Sequence, residues 1–477
     1  MTGKCKIFRI TLIATFLELA VFNELHTCFS QPLQSIDSVA VPASGKYKNP
    51  SFFLRMAVGK NYRKEWELSI KMPVFNINVE QGGLTITKPG GGHQTKSIRM
   101  ISTDSTEWVL RSVDKNVRTV LPKILQHTPI QKFAQDMISS SHPYACLSVA
   151  IMSKATGIIS SEPKLVYLPY DTSLGRYEND YAGKPYFFEQ RHPLRPKTKA
   201  ESMEDLLKEL SKDNDNIIMQ GQLLKARLLD MLNGDWDRHQ DQWRWGKYDS
   251  LKRTWYYPIP VDRDQAFFRP KGILIRLINT IATPYLKGFK QNMNGLYQLN
   301  KTARNFDRVF LNELEQSEWI GIITEVQNRL NDSVLTDAVN ALPAEIPGKS
   351  KDNIARVLRR RRDEMMKAVR KYYTRLAKNV YVFGSEKAEL FQFTNTMDGL
   401  QLAVYNCKEA VDNCKLYERI FDKKCTKRIY LVGVTDSDTV TIDPGNKCCI
   451  KIMQVNDGHR KYDLRSKILK RLLDKKQ

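Results

Sequence analysis

Histidine is scarce here, 7 among 477 residues. That removes the histidine-rich dinuclear pattern on which metal-dependent phosphoester hydrolysis usually rests. Cysteine is absent from long stretches: between Cys28 and Cys407 the chain holds Cys146 alone. A disulfide framework cannot staple the bulk of such a protein. The later cysteines Cys407, Cys414, Cys425, Cys448 and Cys449 leave room for one or two disulfides in an oxidising compartment, but their spacing fits no zinc pattern. Past residue 30 no apolar run reaches the ~18 residues of a membrane-spanning helix. Acidic residues are in deficit as well, 52 Asp and Glu against 75 Lys and Arg, a net charge of +23.

What the chain does have begins at its N-terminus. Lys4, Lys6 and Arg9 precede the apolar run ITLIATFLELAVF, with small residues after it. This is the pattern of a secretory signal peptide over residues 1–30, so the protein is expected to be exported, periplasmic or attached to the cell surface, with no transmembrane segment in the mature chain. The first 30 residues carry three basic and two acidic side chains, so +22 of the +23 stays with the mature protein. Such a charge favours an anionic ligand: phosphates or a nucleotide, acidic lipids, acidic glycans or nucleic acid. Export makes nucleic acid the poorest of these.

The remainder is long enough for two or three domains. Residues 31–75 read as a linker and N-terminal extension, rich at first in Ser, Pro and Gly. From about 75 to 115, FNINVE, GLTITK, KSIRMIS and EWVLRSV alternate apolar and polar residues between Gly-rich turns, the texture of strands. Helical patterns follow, one ending at Gly157, and KLVYLPY and KPYFFEQ return to strand character. These fix a small β-rich lobe at 76–190. A helical lobe spans 191–385, with Leu224, Leu228 and Leu232 at helical spacing before Asn233–Gly234. The run RRRR at 359–362 reads as a solvated helix face. A β domain at 386–456 and a basic tail at 457–477 close the chain. The fold class expected is α+β.

One stretch asks for chemistry. In NGDWDRHQDQWRWG, residues 233–246, Asp235, Asp237, His239 and Asp241 crowd together although like charges repel. About 20 residues on, IPVDRDQAFF brings Asp262 and Asp264 directly after a strand. Upstream, PGGGHQTK holds Gly90, Gly91, Gly92, Gln94 and Lys96, and EWVLRSV holds Arg111. A Gly-rich turn, a cation near a strand and two carboxylate loops are the parts that phosphoryl transfer requires. Each alone has a plainer explanation, as a hairpin turn, a surface ion cluster, an Asx-rich turn or a Ca²⁺ site. Their order and spacing favour the joint reading. Trp236, Trp243 and Trp245 read as packing residues.

The two acidic motifs resemble the core of the atypical, protein-kinase-like families, above all the CotH spore-coat kinases. HipA-type kinases are similar through GGGHQTKSIRM, EWVLRSV and YFFEQR; phosphoinositide kinases and the secreted Golgi casein kinase are similar over shorter stretches. The resemblance covers roughly residues 80–270. It implies a two-lobed kinase-like fold with ATP or another nucleotide and Mg²⁺ (or Mn²⁺) between the lobes. It implies Asp237 as the residue orienting the acceptor hydroxyl and His239 as the brace of its loop. Asp262, Asp264 and Gln242 become metal ligands; Gly90, Gly91, Gly92 and Gln94 line the phosphates; Lys96 or Arg111 supplies positive charge. The chain also resembles exported Bacteroidetes proteins in which this module accompanies other envelope components, which implies an envelope protein or outer-membrane partner.

Two departures stand out. Arg111 occupies the expected lysine position, and HPYACL has Tyr144 and Ala145, not Glu, where the helix of the HipA-type kinases begins, leaving Asp136 as the nearest stand-in. Three readings follow: a phosphotransferase acting on a hydroxyl of a protein, lipid or glycan; an idle kinase-fold module that binds or assembles; and a metal-dependent phosphoester hydrolase.

Overall fold

The computed structural model describes residues 38–90, 94–194, 198–250, 253–281, 286, 288–406, 414–434, 437–443 and 449–455. The signal peptide expected at 1–30, Gly91 and Gly92, and the basic tail at 457–477 lie outside the described residues. The chain is α+β: strand-rich at both ends and helical between.

The first sheet has five antiparallel strands in the spatial order Leu84–Gly90, Ser97–Ser102, Glu107–Ser112, Lys184–Gln190, Lys164–Leu168. Strand alternation sends successive side chains to opposite faces. Phe188 therefore joins Ile98, Met100, Leu110 and Val166 in a core on one face. Its neighbour Phe187 joins the main core of the molecule on the other. The helix Ala145–Ala155 packs on that second side through Ala145, Val149 and Met152.

Residues 38–73 are folded, not a linker. The strands Ser38–Pro42 and Ser69–Pro73 pair antiparallel, and the helices Phe52–Val58 and Arg63–Glu67 lie between them. Tyr47, Tyr62 and Trp66 are fully buried in the main core. Truncating a buried aromatic of this kind costs about 3–5 kcal/mol, enough to fix a segment whose Ser, Pro and Gly content suggests looseness. The Tyr62 hydroxyl donates to Phe267 O at 2.8 Å and Trp66 Nε1 donates to Ser141 O at 2.9 Å.

The helical lobe is built around Gln220–Asn233. Leu223, Leu224, Leu228, Leu229 and Leu232 are buried on several sides of it, the pattern of a central helix. It stops at Gly234, φ +68°. A side chain there would be strained by that φ, and its Cβ would lie 3.3 Å from Phe289 Cα. Next comes a hairpin, Trp243–Ser250 against Arg253–Pro260, with Asn216–Ile218 parallel to its second arm. Trp243 and Trp245 are fully buried, as packing residues should be. The 30-residue helix Gly348–Ala377, about 45 Å long, spans the lobe. Its arginine run is only partly a solvated face. Arg359 and Arg360 answer acids at the surface, whereas Arg361 is buried.

The closing β unit starts earlier than residue 386. Asn379–Phe383 follows the long helix almost directly and pairs in parallel with Arg428–Val432, itself parallel to Lys451–Val455. A four-stranded sheet, Lys415–Phe421, Leu400–Tyr405, Leu390–Asn395, Thr439–Ile442, packs with it over Phe391, Phe393, Leu402 and Leu431. No Gly or Pro punctuates the helix-to-strand junction, so the boundary is hidden in the sequence. Among the described residues Cys146, Cys425 and Cys449 are free thiols. Among the described residues no helix is long and apolar enough to cross a membrane.

Candidate active site

The helix Gln220–Asn233 and the second hairpin arm, Arg253–Pro260, each release an acidic loop. Gly234 turns the first chain into Asp235–Asp237, and Pro260 leads into Asp262–Asp264. The loops are tied by backbone: Phe267 N donates to Asn233 O at 2.9 Å and Val261 N to Gln242 O at 3.0 Å. Asp262 is held at φ +58°, a left-handed conformation uncommon outside glycine, though Asp tolerates it better than most. Such strain persists only where the surroundings impose it.

The sheet supplies the opposing charge. Arg111, on the central strand Glu107–Ser112, lies 3.2 Å from Asp262 through Nη1 and 2.7 Å from Glu189 through Nη2. Lys115, three residues past the strand's end, pairs through Nζ with Asp264 Oδ2. Thr95, Arg111, Lys115, Cys146, Asp262 and Asp264 line one small cleft between sheet and loops.

Electrostatics separates the acids. Burial pushes the Asp262 carboxyl up, but Arg111 and Lys115 outweigh it and hold it at about 2. Asp264 is raised by burial and by the charge of Asp262, against the pull of Lys115. Asp237 is raised to about 7, first by burial, then by the charges of Asp235, Asp264 and Asp262. Asp235 is raised to about 6 by burial despite Arg238. The charges of Asp262 and Asp264 reach Asp237 and disfavour its ionised form. Asp237 and the Asp262–Asp264 pair therefore share one electrostatic site, and Asp237 is poised to take a proton near neutrality.

Behind them lies a buried ion network. Asp230 accepts from Arg227 Nη1 at 2.8 Å and Arg238 Nε at 3.1 Å. Arg238 also reaches Asp235 Oδ2 at 3.2 Å and Val261 O at 2.6 Å, so one guanidinium joins both acidic loops. Burial alone would raise Asp230; Arg238, Arg263 and Arg227 together hold it below the ordinary range. Arg227 continues to Asp307 at 2.7 Å and Asn300 at 2.5 Å.

The expected site residues are thus partly reunited. Asp237, Asp262, Asp264 and Arg111 come together. His239 does not brace the loop: its side chain is 41% exposed, 3.6 Å from exposed Asp241, and the brace is the neighbouring Arg238. Lys96 points to the outer surface, 3.1 Å from Asp180; Lys115 takes the place facing the acids. Asp136 pairs with Arg63, not with Arg111, whose carboxylate partner is Glu189. Lys115 is missed because it falls beyond the strand pattern, and Arg238 because the adjacent histidine draws the eye. The only signal for Arg238 is a lone basic residue inside an acidic run. Gly90 closes the strand pair opposite Ser97, where an added Cβ would lie 2.6 Å from Ser97 Oγ. Gln94 accepts Asn116 N on its carbonyl at 2.8 Å. Gln242 is buried, and among the described residues its Oε1 has no hydrogen-bond partner.

Among the described residues no three His, Cys, Asp or Glu groups stand in a metal-binding arrangement. The chemistry of the donors nonetheless fits a divalent cation. Two carboxylates two residues apart and a third acid raised by them form a negative surplus that Arg111 and Lys115 do not cancel.

No protein-family model matches the chain, and neither does any curated protein. Among solved structures, the chain is similar to the Helicobacter pylori proinflammatory kinase CtkA, with 12% identity and a TM-score of 0.32, over 61% of this chain and 96% of that one. It is also similar to HipA of the Shewanella oneidensis MR-1 toxin–antitoxin system, with 13% identity and a TM-score of 0.25, over 46% of this chain and 57% of that one.

Proposed function

We propose that this protein is an exported, kinase-like phosphotransferase that uses a Mg-nucleotide and transfers a phosphoryl group to a hydroxyl. The observation that carries this reading is the pairing of Asp262 and Asp264 with Arg111 and Lys115 from the sheet, in a site whose negative charge reaches Asp237. Asp262 and Asp264, with Gln242 Oε1, are the oxygens that would hold Mg²⁺ (or Mn²⁺), which when bound supplies charge neutralisation to the phosphates. Arg111 and Lys115 are the cations available to phosphate oxygens of ATP or another nucleotide. Asp237 orients the acceptor hydroxyl and takes its proton as the new O–P bond forms and the bond to the departing diphosphate breaks. Such a base contributes roughly 10²–10⁴-fold.

A second reading is favoured by the same ion pairs. Arg111 and Lys115 occupy the carboxylates a metal would need, which suits an idle kinase-fold module that binds an anionic envelope ligand or partner. Thermal shift with Mg²⁺ and a nucleotide panel, followed by an assay of γ-phosphate transfer, separates the two. Stabilisation lost in Asp262→Ala, with transfer lost in Asp237→Asn, supports phosphotransfer. Stabilisation without turnover supports the idle module. No nucleotide-dependent stabilisation sinks the phosphotransfer reading.

A further inference from the structure

We propose that the helices Phe52–Val58 and Ile273–Ile281, with the basic cavity beside them, form a face that docks on an anionic membrane surface, the cavity receiving a phosphate-bearing lipid headgroup. Phe52 and Phe53 are each 75% exposed, and Ile273 and Leu277 are 64% and 56% exposed. Single exposed apolar residues are ordinary; a contiguous group of large ones marks an interaction surface. Continuity comes from Gly59 and Gly272. Any Cβ on Gly272 would lie 1.8 Å from Ala57 O, so the end of one helix abuts the start of the other only because this residue is glycine.

Cations ring this apolar ridge. Arg55, Lys60, Lys271 and Arg276 are exposed on or next to the two helices. Beside them opens a cavity of about 1020 Å³ whose lining includes Arg269, Lys271, Arg276, Lys290 and Arg361 and no Asp or Glu. Arg361 is buried with its donors on four carbonyls: Met231, Leu232, Lys290 and Asn292. Carbonyls satisfy its hydrogen bonds, and the charge of Glu364 nearby does not outweigh the effect of burial on it. Burial and the neighbouring charges of Arg269 and Arg276 also hold the Lys271 ammonium below its ordinary range, as in a cluster of cations acting on one another.

Protruding aromatic and aliphatic side chains over a cationic rim are what interfacial helices present to acidic lipid. A protein partner would have to supply both a matching groove and several carboxylates. The cavity lies next to the proposed active site: Arg269 is five residues beyond Asp264, and Arg361 holds the end of the helix that releases the Asp235–Asp237 loop. That the headgroup is the phosphoryl acceptor rests on the phosphotransfer reading; the docking does not.

The test uses the full chain without nucleotide, so its failure and the failure of phosphotransfer are distinguishable. Co-sedimentation with equimolar phosphatidylcholine–phosphatidylglycerol vesicles is expected to exceed that with phosphatidylcholine vesicles by about tenfold or more. The paired substitutions Phe52→Ser with Phe53→Ser, and Lys271→Glu with Arg276→Glu, are each expected to lower binding by about tenfold. Both sets lie on the surface, so folding is not at stake. Hydrogen exchange should slow in both helices when the mixed vesicles are added. Binding that ignores both pairs of substitutions, or exchange unchanged in the helices, overturns the proposal, because another segment then carries the attachment. A dimer that dissociates on Phe52→Ser with Phe53→Ser also overturns it, since a second copy would be what covers the ridge.

Discussion

At the scale of single residues, the site turns on Lys115 and Arg238, neither of which belongs to a recognisable motif. Lys115 is the cation opposite Asp264, with a side chain only 11% exposed, whereas Lys96 is about half exposed and bound to Asp180. Lys115→Met should therefore abolish stabilisation by Mg-nucleotide, and Lys96→Met should leave it intact; the two midpoint shifts measured in parallel decide the matter. Should Lys96→Met be the damaging change, the assignment of the phosphate-facing cation is wrong. Arg238 is 1% exposed and joins Asp230, Asp235 and Val261 O. Removing one partner from a buried ion network leaves uncompensated charge and costs about 3–5 kcal/mol. Arg238→Met should thus lower the denaturant midpoint markedly. His239→Ala, at a half-exposed position, should change it by less than about 0.5 kcal/mol.

At the scale of elements, the placing of the acidic loops depends on how the preceding helix ends. The last carbonyls of an α-helix lack intrahelical partners. In Gln220–Asn233 two of these, Met231 O and Leu232 O, receive Arg361 at 2.6 Å each. Arg361→Met should then cost about 3–6 kcal/mol from the two charged hydrogen bonds to this helix alone, and should weaken nucleotide binding because the Asp235–Asp237 loop loses its anchor. Thermal melting with and without Mg-nucleotide measures both effects; a variant that melts like the parent refutes the anchoring role. The contrast with the sequence is instructive here. The five strands of the first sheet and the helix ending at Gly234 were legible, since each rests on local alternation or a turn residue; the association of Asp237 with Asp262 came from the resemblance of their two motifs. Arg361 was not, because in sequence it is one of four identical arginines and only packing distinguishes it. The folded segment 38–73 was hidden for a related reason: its Tyr47, Tyr62 and Trp66 find their partners far along the chain. Spacing shows which residues recur on a face, but not which distant surface will bury them.

At the scale of the molecule, polar contacts help dock the closing β unit on the helical lobe, beside Phe383 and Val432, which join the main core. Tyr417 Oη donates to Asn312 O at 2.8 Å, Asn312 Nδ2 to Tyr381 O at 2.7 Å, and Asn214 Nδ2 to Glu389 Oε1 at 2.6 Å. Glu313 sits in this seam beside a cavity of about 90 Å³. Burial, reinforced by the charge of Glu318, raises its carboxyl from 4.5 to about 7 against the pull of Arg419 and Arg253. An acid raised on folding binds its proton more tightly in the native state, so stability falls as pH climbs between the two values. The contribution is complete below about 4.5 and lost once pH passes about 7. Glu313→Gln keeps the neutral form at every pH. It should raise the melting midpoint above about pH 7, by about 1–3 kcal/mol in stability, and flatten the slope between those pH values. Melting curves of parent and variant across that range test the point, and parallel curves would mean that the seam carries no buried titrating acid. In the parent, the same linkage makes attachment of the β unit to the lobe tighter in mildly acidic surroundings than in neutral ones.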